Sequence, residues 1–158
     1  MEYRIETKQS FTIVGISRRF RMEDCYQQIP VFWKEVLGQG DRPAGIVGMF
    51  GVTYDTTDTD FAYMIGDLYE PWREYPLAYP SITYEKGTWA VFPVHGKLPE
   101  SLQSVNSAIW QSWIPEHQKS FRFRTSGCVE MYAPLPKKPE ETYAEIWLPL
   151  DRTGSGAS

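Results

Sequence analysis

Two glutamates set among aromatic residues are the side chains of this sequence best placed to do chemistry. Glu130 lies in Cys128-Val129-Glu130-Met131-Tyr132, and Glu145 in Tyr143-Ala144-Glu145-Ile146-Trp147. Strand alternation puts Cys128, Glu130 and Tyr132 on one face and Val129 and Met131 on the other. It likewise groups Tyr143, Glu145 and Trp147 apart from Ala144, Ile146 and Leu148. If the aliphatic sets pack against helices, both glutamates line the uncovered face. Paired as a hairpin, the two strands would bring Glu130 and Glu145 close together. An unpaired buried carboxylate is costly. It takes a proton, finds a partner or meets a cationic ligand. A lipophilic cation would neutralise the glutamate and stack on Trp or Tyr for up to about 2 kcal/mol. The same carboxylates could instead position a water as general bases. The plain alternative is that both are solvent-facing strand residues.

Tyr63 sits in the first-half strand that matches Tyr143–Leu150, so it could face the same cleft. Trp89 divides between pocket and core. Trp33, Trp110 and Trp113 fall on helix stripes and are expected in the core. His95 reads as a strand-end residue. Cys25 and Cys128 lie far apart without CxxC spacing, which implies neither a disulfide framework nor a zinc site. With two histidines in the chain, no metal and no cofactor are expected. The acidic stretch 55–60 lacks the glycine and distal glutamate of a calcium loop and reads as a hairpin turn. No phosphate loop, dinucleotide fingerprint or Ser–His–Asp set is present.

The elements that must position these residues occur twice. The first half reads strand (Phe11–Phe20), helix (about Asp24–Leu37), strand (Ile46–Tyr54) and strand (Phe61–Tyr69). The second reads strand (Thr88–His95), helix (about Pro99–Pro115), strand (Phe121–Tyr132) and strand (Tyr143–Leu150). Ile29, Phe32, Trp33, Val36 and Leu37 form one apolar helix face, closed by Gly38 and Gly40. Leu102, Val105, Ile109, Trp110 and Trp113 form the other, with Pro99 at its start and Pro115 at its end. Pro30 is expected near a first helical turn. The pattern predicts an α+β fold of two pseudo-twofold-related βαββ repeats. Its antiparallel sheet carries one helix per repeat on one face and a ligand cleft on the concave face. Repeat one spans about 1–70, the proline-rich linker 71–80 and repeat two about 81–150. Together they make one domain over 1–152, followed by a flexible tail at 153–158.

The 158-residue chain is long enough for a substantial core, and 15% of it is aromatic. A net charge of −4 argues against a general nucleic-acid binder. Arg18, Arg19 and Arg21, and separately Arg122 and Arg124, read as solvated faces. The polar opening Met1-Glu2-Tyr3-Arg4 has no signal-peptide core after it, and no segment reaches the ~18 apolar residues of a membrane span. A soluble cytoplasmic protein is expected. Exposed strand edges would permit a homodimer.

Several segments together resemble the GyrI-like small-molecule-binding domain, the effector-binding module of some AraC- and MerR-type regulators. They are Phe11–Gly15 (FTIVG), Ile29–Leu37 (IPVFWKEVL), Phe61–Gly66 (FAYMIG), Trp89–Gly96 with Trp113-Ile114-Pro115, and Ala144–Leu150 (AEIWLPL). Val129-Glu130-Met131-Tyr132 resembles the family's acidic pocket strand. The resemblance implies a cleft for hydrophobic, cationic or planar drug-like molecules. It carries the acidic pocket residue to Glu130 and, more weakly, implicates Glu145 and Trp147. Tyr132, Tyr143, Tyr63 and Trp89 complete the expected ligand-binding set. The resemblance also implies two other activities. One is hydrolysis of reactive cyclopropanoid-type electrophiles by Glu130 or Glu145, and the other is gyrase-type inhibition by protein contact. The chain opens directly on the effector module, so a standalone sensor or sequestering protein, or a domain working with a regulator partner, is expected, without DNA contacts of its own.

Overall fold

A computed structural model describes residues 1–38, 48–123, 127–134 and 136–152. Among these, nine strands form one antiparallel sheet. They are β1 (Arg4–Lys8), β2 (Phe11–Arg21), β3 (Phe50–Tyr54), β4 (Asp60–Leu68), β5 (Ser81–Tyr84), β6 (Gly87–His95), β7 (Phe121–Phe123), β8 (Cys128–Tyr132) and β9 (Tyr143–Arg152). The order is β1-β6-β9-β8-β3-β4-β2-β5, with β7 added beside β9. The run β6-β9-β8 mirrors β2-β4-β3, so the two βαββ repeats meet where β8 pairs with β3. Gly51 faces Glu130 and Val52 faces Val129 across that join. The expected start of β3 at Ile46 lies outside the described residues, as do Gly40, Arg124 and the tail. The strand expected over Phe121–Tyr132 is two strands, β7 and β8, both paired to β9.

Helix α1 (Cys25–Leu37) buries Phe32 and Val36 over Phe20, Phe61, Tyr63 and Ile65 of the first repeat. Helix α2 (Glu100–Ala108) runs into a wider π turn (Ile109–Trp113) and a last α turn, α3 (Ile114–His117). Ile109 and Trp113 pack on Phe92, Ala144, Ile146 and Leu148 of the second repeat. Pro115 does not end the rod as expected. It has no N–H to continue the i→i−4 ladder. The π turn just before it shifts the bonding, with the Ile114 N–H donating to the Ile109 carbonyl.

The other face of the sheet curls on itself. Phe11 stacks on Tyr84 and meets Trp89 and Trp147 at 5.0, 5.6 and 5.9 Å between ring centres. Ile13, Val52, Met64, Val91 and Val129 fill the same interior. The half-barrel is therefore packed solid on its inner side, with the helices on the outer side.

The helices meet through a proline. Pro30 lies inside α1, beyond the first turn where the sequence suggested it. Its missing N–H leaves the Tyr26 carbonyl without the usual helical donor. Gln103 of α2 supplies one, with Nε2 2.8 Å from that oxygen. Asn106 Nδ2 donates to the Tyr26 hydroxyl at 2.8 Å, and Ser107 Oγ lies 3.2 Å from it. Gln103→Ala is expected to cost about 0.5–1 kcal/mol. The cost should shrink in a Pro30→Ala background, where the restored backbone N–H can donate to the Tyr26 carbonyl. A double-mutant cycle by urea unfolding measures this coupling. Equal costs in both backgrounds would contradict it.

Candidate ligand-binding site

The cleft expected on the helix-free concave face lies instead on the helix-bearing face, because the concave side is filled by its own apolar cluster and the sheet is left open between the two helices. A cavity of about 1010 Å³ occupies the gap. Its walls come from the start of α1 (Cys25, Tyr26, Ile29), from α2 and the π turn (Asn106, Ser107, Trp110), and from the β3–β4 hairpin. Thr53 of β3, Cys128 and Glu130 of β8, and Ile146 of β9 line it from the sheet. Glu130 is partly buried, so it belongs to both the sheet and the cavity.

Behind Glu130 stands a chain of donors. Tyr63 Oη donates to Glu130 Oε1 at 2.6 Å, and Tyr132 Oη donates to the same oxygen at 2.5 Å. Trp33 Nε1 donates to Tyr63 Oη at 2.9 Å. Tyr63 has no exposed surface. The geometry requires a glycine at position 51. A Cβ there would overlap the Tyr63 hydroxyl and stand 2.8 Å from Glu130 Oε1. No ion pair to Glu130 is present among the described residues. Burial pushes its carboxyl above the usual range, against the pull of the Tyr132 and Tyr63 hydroxyls. Burial, followed by the Glu130 charge, also holds both tyrosines well above the usual phenol range. The two cysteines of the cavity wall are poor nucleophiles, because burial raises both and takes Cys128 to about 12.

Glu145 is placed differently. The register sets Glu130 opposite Ile146 and Met131 opposite Glu145. Opposed residues share a face, so the two glutamates point to opposite sides of the sheet. The expected proximity of Glu130 and Glu145 is thus corrected by one residue of register. Alternation holds within each strand, and the aliphatic set of β9 does pack under the helices. On β8 it is Glu130 that faces the helices, while Val129 turns into the curl of the sheet.

Glu145 is 7% exposed. It accepts from Tyr143 Oη at 2.6 Å, Trp147 Nε1 at 2.9 Å and Arg4 Nη2 at 3.0 Å. Burial would raise its carboxyl, but these three donors together hold it below the usual range. Tyr143, Glu145 and Trp147 therefore form one group with Arg4, on the far side of the sheet from the cavity. Trp89 is buried in the inner apolar cluster. Of the seven residues singled out from sequence, the structure brings Glu130, Tyr132 and Tyr63 together. Cys25, Tyr26, Ile29, Phe61 and Trp110 line the cavity without having been singled out. Trp110 was assigned to the core by its helix stripe, yet it is 39% exposed, and the π turn that holds it carries no mark in the residue pattern.

Three of the arginines expected on solvated faces, Arg18, Arg19 and Arg21, carry carboxylate partners. Arg18 pairs with Glu35 at 2.8 Å, Arg19 with Asp55 and Asp60, and Arg21 with Glu23 at 3.4 Å. No group of three or more metal-ligating side chains occurs among the described residues. No helix among them is long and apolar enough to cross a membrane.

The model of the GyrI-like small molecule binding domain matches residues 1–151. The chain belongs to this family. Solved structures of GyrI-like proteins share the fold. The structure of SAV2435 bound to tetraphenylphosphonium is similar, with 23% identity and a TM-score of 0.76 over 96% of this chain and 94% of that one. A putative transcription regulation protein from Staphylococcus aureus MU50 is 23% identical, with a TM-score of 0.74 over 96% and 99% of the two chains. The C-terminal domain of EcmrR is 14% identical, with a TM-score of 0.59 over 96% and 98%. At these identities the likeness is one of fold. No curated protein matches the chain in sequence.

Glu130→Gln keeps an acceptor for the two tyrosines and removes the charge. With its folded-state value raised, Glu130 favours folding most below the ordinary glutamate range, and that contribution is lost as pH rises through the raised value. The variant should therefore be more stable than the parent at neutral pH, by roughly 1–2 kcal/mol. The difference should vanish toward about pH 4, below the ordinary glutamate value. Urea midpoints measured across this range test it. A constant difference would contradict the assignment.

Proposed function

We propose that this GyrI-like domain binds hydrophobic, cationic small molecules in the cavity between its helices, with Glu130 as counter-ion. The observation that carries the reading is a partly buried carboxylate with no cation beside it among the described residues, braced by Tyr63 and Tyr132 and open to an aromatic-walled cavity. A bound cation would supply the missing charge, and desolvation strengthens that attraction. Tyr26, Phe61 and Trp110 offer aromatic surface in the same walls. Tetraphenylphosphonium, the molecule bound in the SAV2435 structure, has the chemistry this cavity suits. The volume lies at the upper end of the ~300–1,000 Å³ usual for ligand pockets. The protein would then act as a sensor or a sequestering module.

Tetraphenylphosphonium and tetraphenylborate have nearly the same shape and opposite charge, so the pair isolates the electrostatic part. Titration calorimetry should show binding of the phosphonium and little of the borate. Glu130→Gln should weaken the phosphonium by about tenfold or more, equivalent to 1.4 kcal/mol. Affinity for the phosphonium should rise with pH as Glu130 loses its proton and then level off. Ligand recovered unchanged by mass supports a binder, and conversion of a ligand in its presence would favour the hydrolase reading. Equal binding of both ions, or indifference to Glu130→Gln, would overturn the proposal.

A further inference from the structure

Glu130 uses its two oxygens unequally. Oε1 receives both tyrosine hydroxyls, Tyr63 at 2.6 Å and Tyr132 at 2.5 Å. Oε2 receives no hydrogen bond from the described residues, yet it keeps accessible surface. The side chain lines the cavity, so this open oxygen is the one turned to a ligand. Its direction is fixed. Two donors pin the other oxygen, and one of them is held in turn by Trp33 Nε1 at 2.9 Å. A ligand that fills the cavity strips water from Oε2 and must replace what water gave it. Cations differ in whether they can. A protonated amine carries its charge on an N–H and brings that donor to about 2.8 Å from the oxygen. A quaternary ammonium or phosphonium has no such donor, and its substituents hold the charge further off, where the attraction is weaker. Contact with aromatic faces is what compensates such an ion. The partners of Glu130 offer little of that: Tyr63 has no exposed surface, and both tyrosines meet the carboxylate through their hydroxyls.

We infer that the cavity selects lipophilic cations that donate a hydrogen bond, protonated amines with at least one N–H, over quaternary cations of similar size and shape. This rests on the counter-ion role proposed for Glu130 and specifies the class of ligand for that site. The selection comes from Oε2. A site built around one desolvated acceptor discriminates against an analogue that lacks the matching donor, because the acceptor is then left unpaired. Phosphonium ions bind the same cavity through charge and apolar contact, without the directional bond.

The test uses two probes on one aromatic frame. Diphenylpropyl-dimethylammonium carries one N–H at neutral pH, and diphenylpropyl-trimethylammonium carries none. Both have a single positive charge. The trimethyl probe has one more methyl group, so apolar burial alone would favour it. Titration calorimetry on the full chain should instead show the N–H probe bound about tenfold tighter. In Glu130→Gln, checked for folding by circular dichroism, the tyrosines keep the amide oxygen and the amide N–H donors take the place of Oε2. A donor then faces a donor, so both probes should weaken and the preference should vanish or reverse. Equal affinity, or tighter binding of the trimethyl probe, with both weakened by Glu130→Gln, would overturn this inference and leave the proposed function standing. A preference that survives Glu130→Gln would also overturn it, since the acceptor would then lie elsewhere. Failure of both probes to bind, or indifference of both to Glu130→Gln, would overturn the proposed function and this inference with it.

Discussion

Two tyrosine hydroxyls donate to one oxygen of Glu130, and no cation among the described residues offsets the charge they hold in place. That arrangement depends on the join between the repeats. Glu130 comes from β8, and Tyr63 from β4 reaches it past β3. Only a glycine at position 51 leaves room for the approach. Trp33 on α1 fixes the Tyr63 hydroxyl in turn. The site thus draws on both repeats, and neither half contains it alone. A carboxylate so placed raises the free energy of the unliganded protein and lowers that of a cation complex.

The second glutamate shows what a satisfied carboxylate looks like in the same fold. Glu145 takes three donors, one of them Arg4 on the first strand. Its titration is pulled down where that of Glu130 is pushed up. Arg4 lies on β1, two strands away from Glu145 across β6, so this contact ties the edge of the sheet to its middle. One carboxylate links the sheet's edge to its middle, while the other is held by the sheet and lines the cavity. Burial alone would not separate them, since both are largely shielded from water. The presence or absence of a positive partner does.

Much of this was legible in the residues. The apolar stripes of α1 and α2, the turn at 55–59 and the repeat itself follow from short-range periodicity, which the backbone obeys directly. Alternation correctly grouped Glu130 with Tyr132 and Glu145 with Tyr143 and Trp147. What alternation does not contain is the register between strands, and one residue of register decides whether two carboxylates share a face. The division of the expected Phe121–Tyr132 strand into β7 and β8 shifts that register; Gly127, at positive φ just before β8, signals a break there but not the size of the shift. The cavity walls were hidden for a related reason. Tyr26, Ile29 and Trp110 look like ordinary helix residues, and only the placement of two helices from different repeats makes them walls of one cavity. Pro30 was visible, but its consequence depended on Gln103, which lies in the other repeat.

The central claim is that Glu130 is a charge waiting for a partner. The most direct measurement is the carbon-detected NMR titration of its carboxyl group, assigned by Glu130→Gln, in the free protein and with tetraphenylphosphonium bound. The account predicts a midpoint above that of an ordinary glutamate in the free protein and a clear fall when the cation binds. A midpoint at or below the ordinary value, unchanged by the cation, would contradict it.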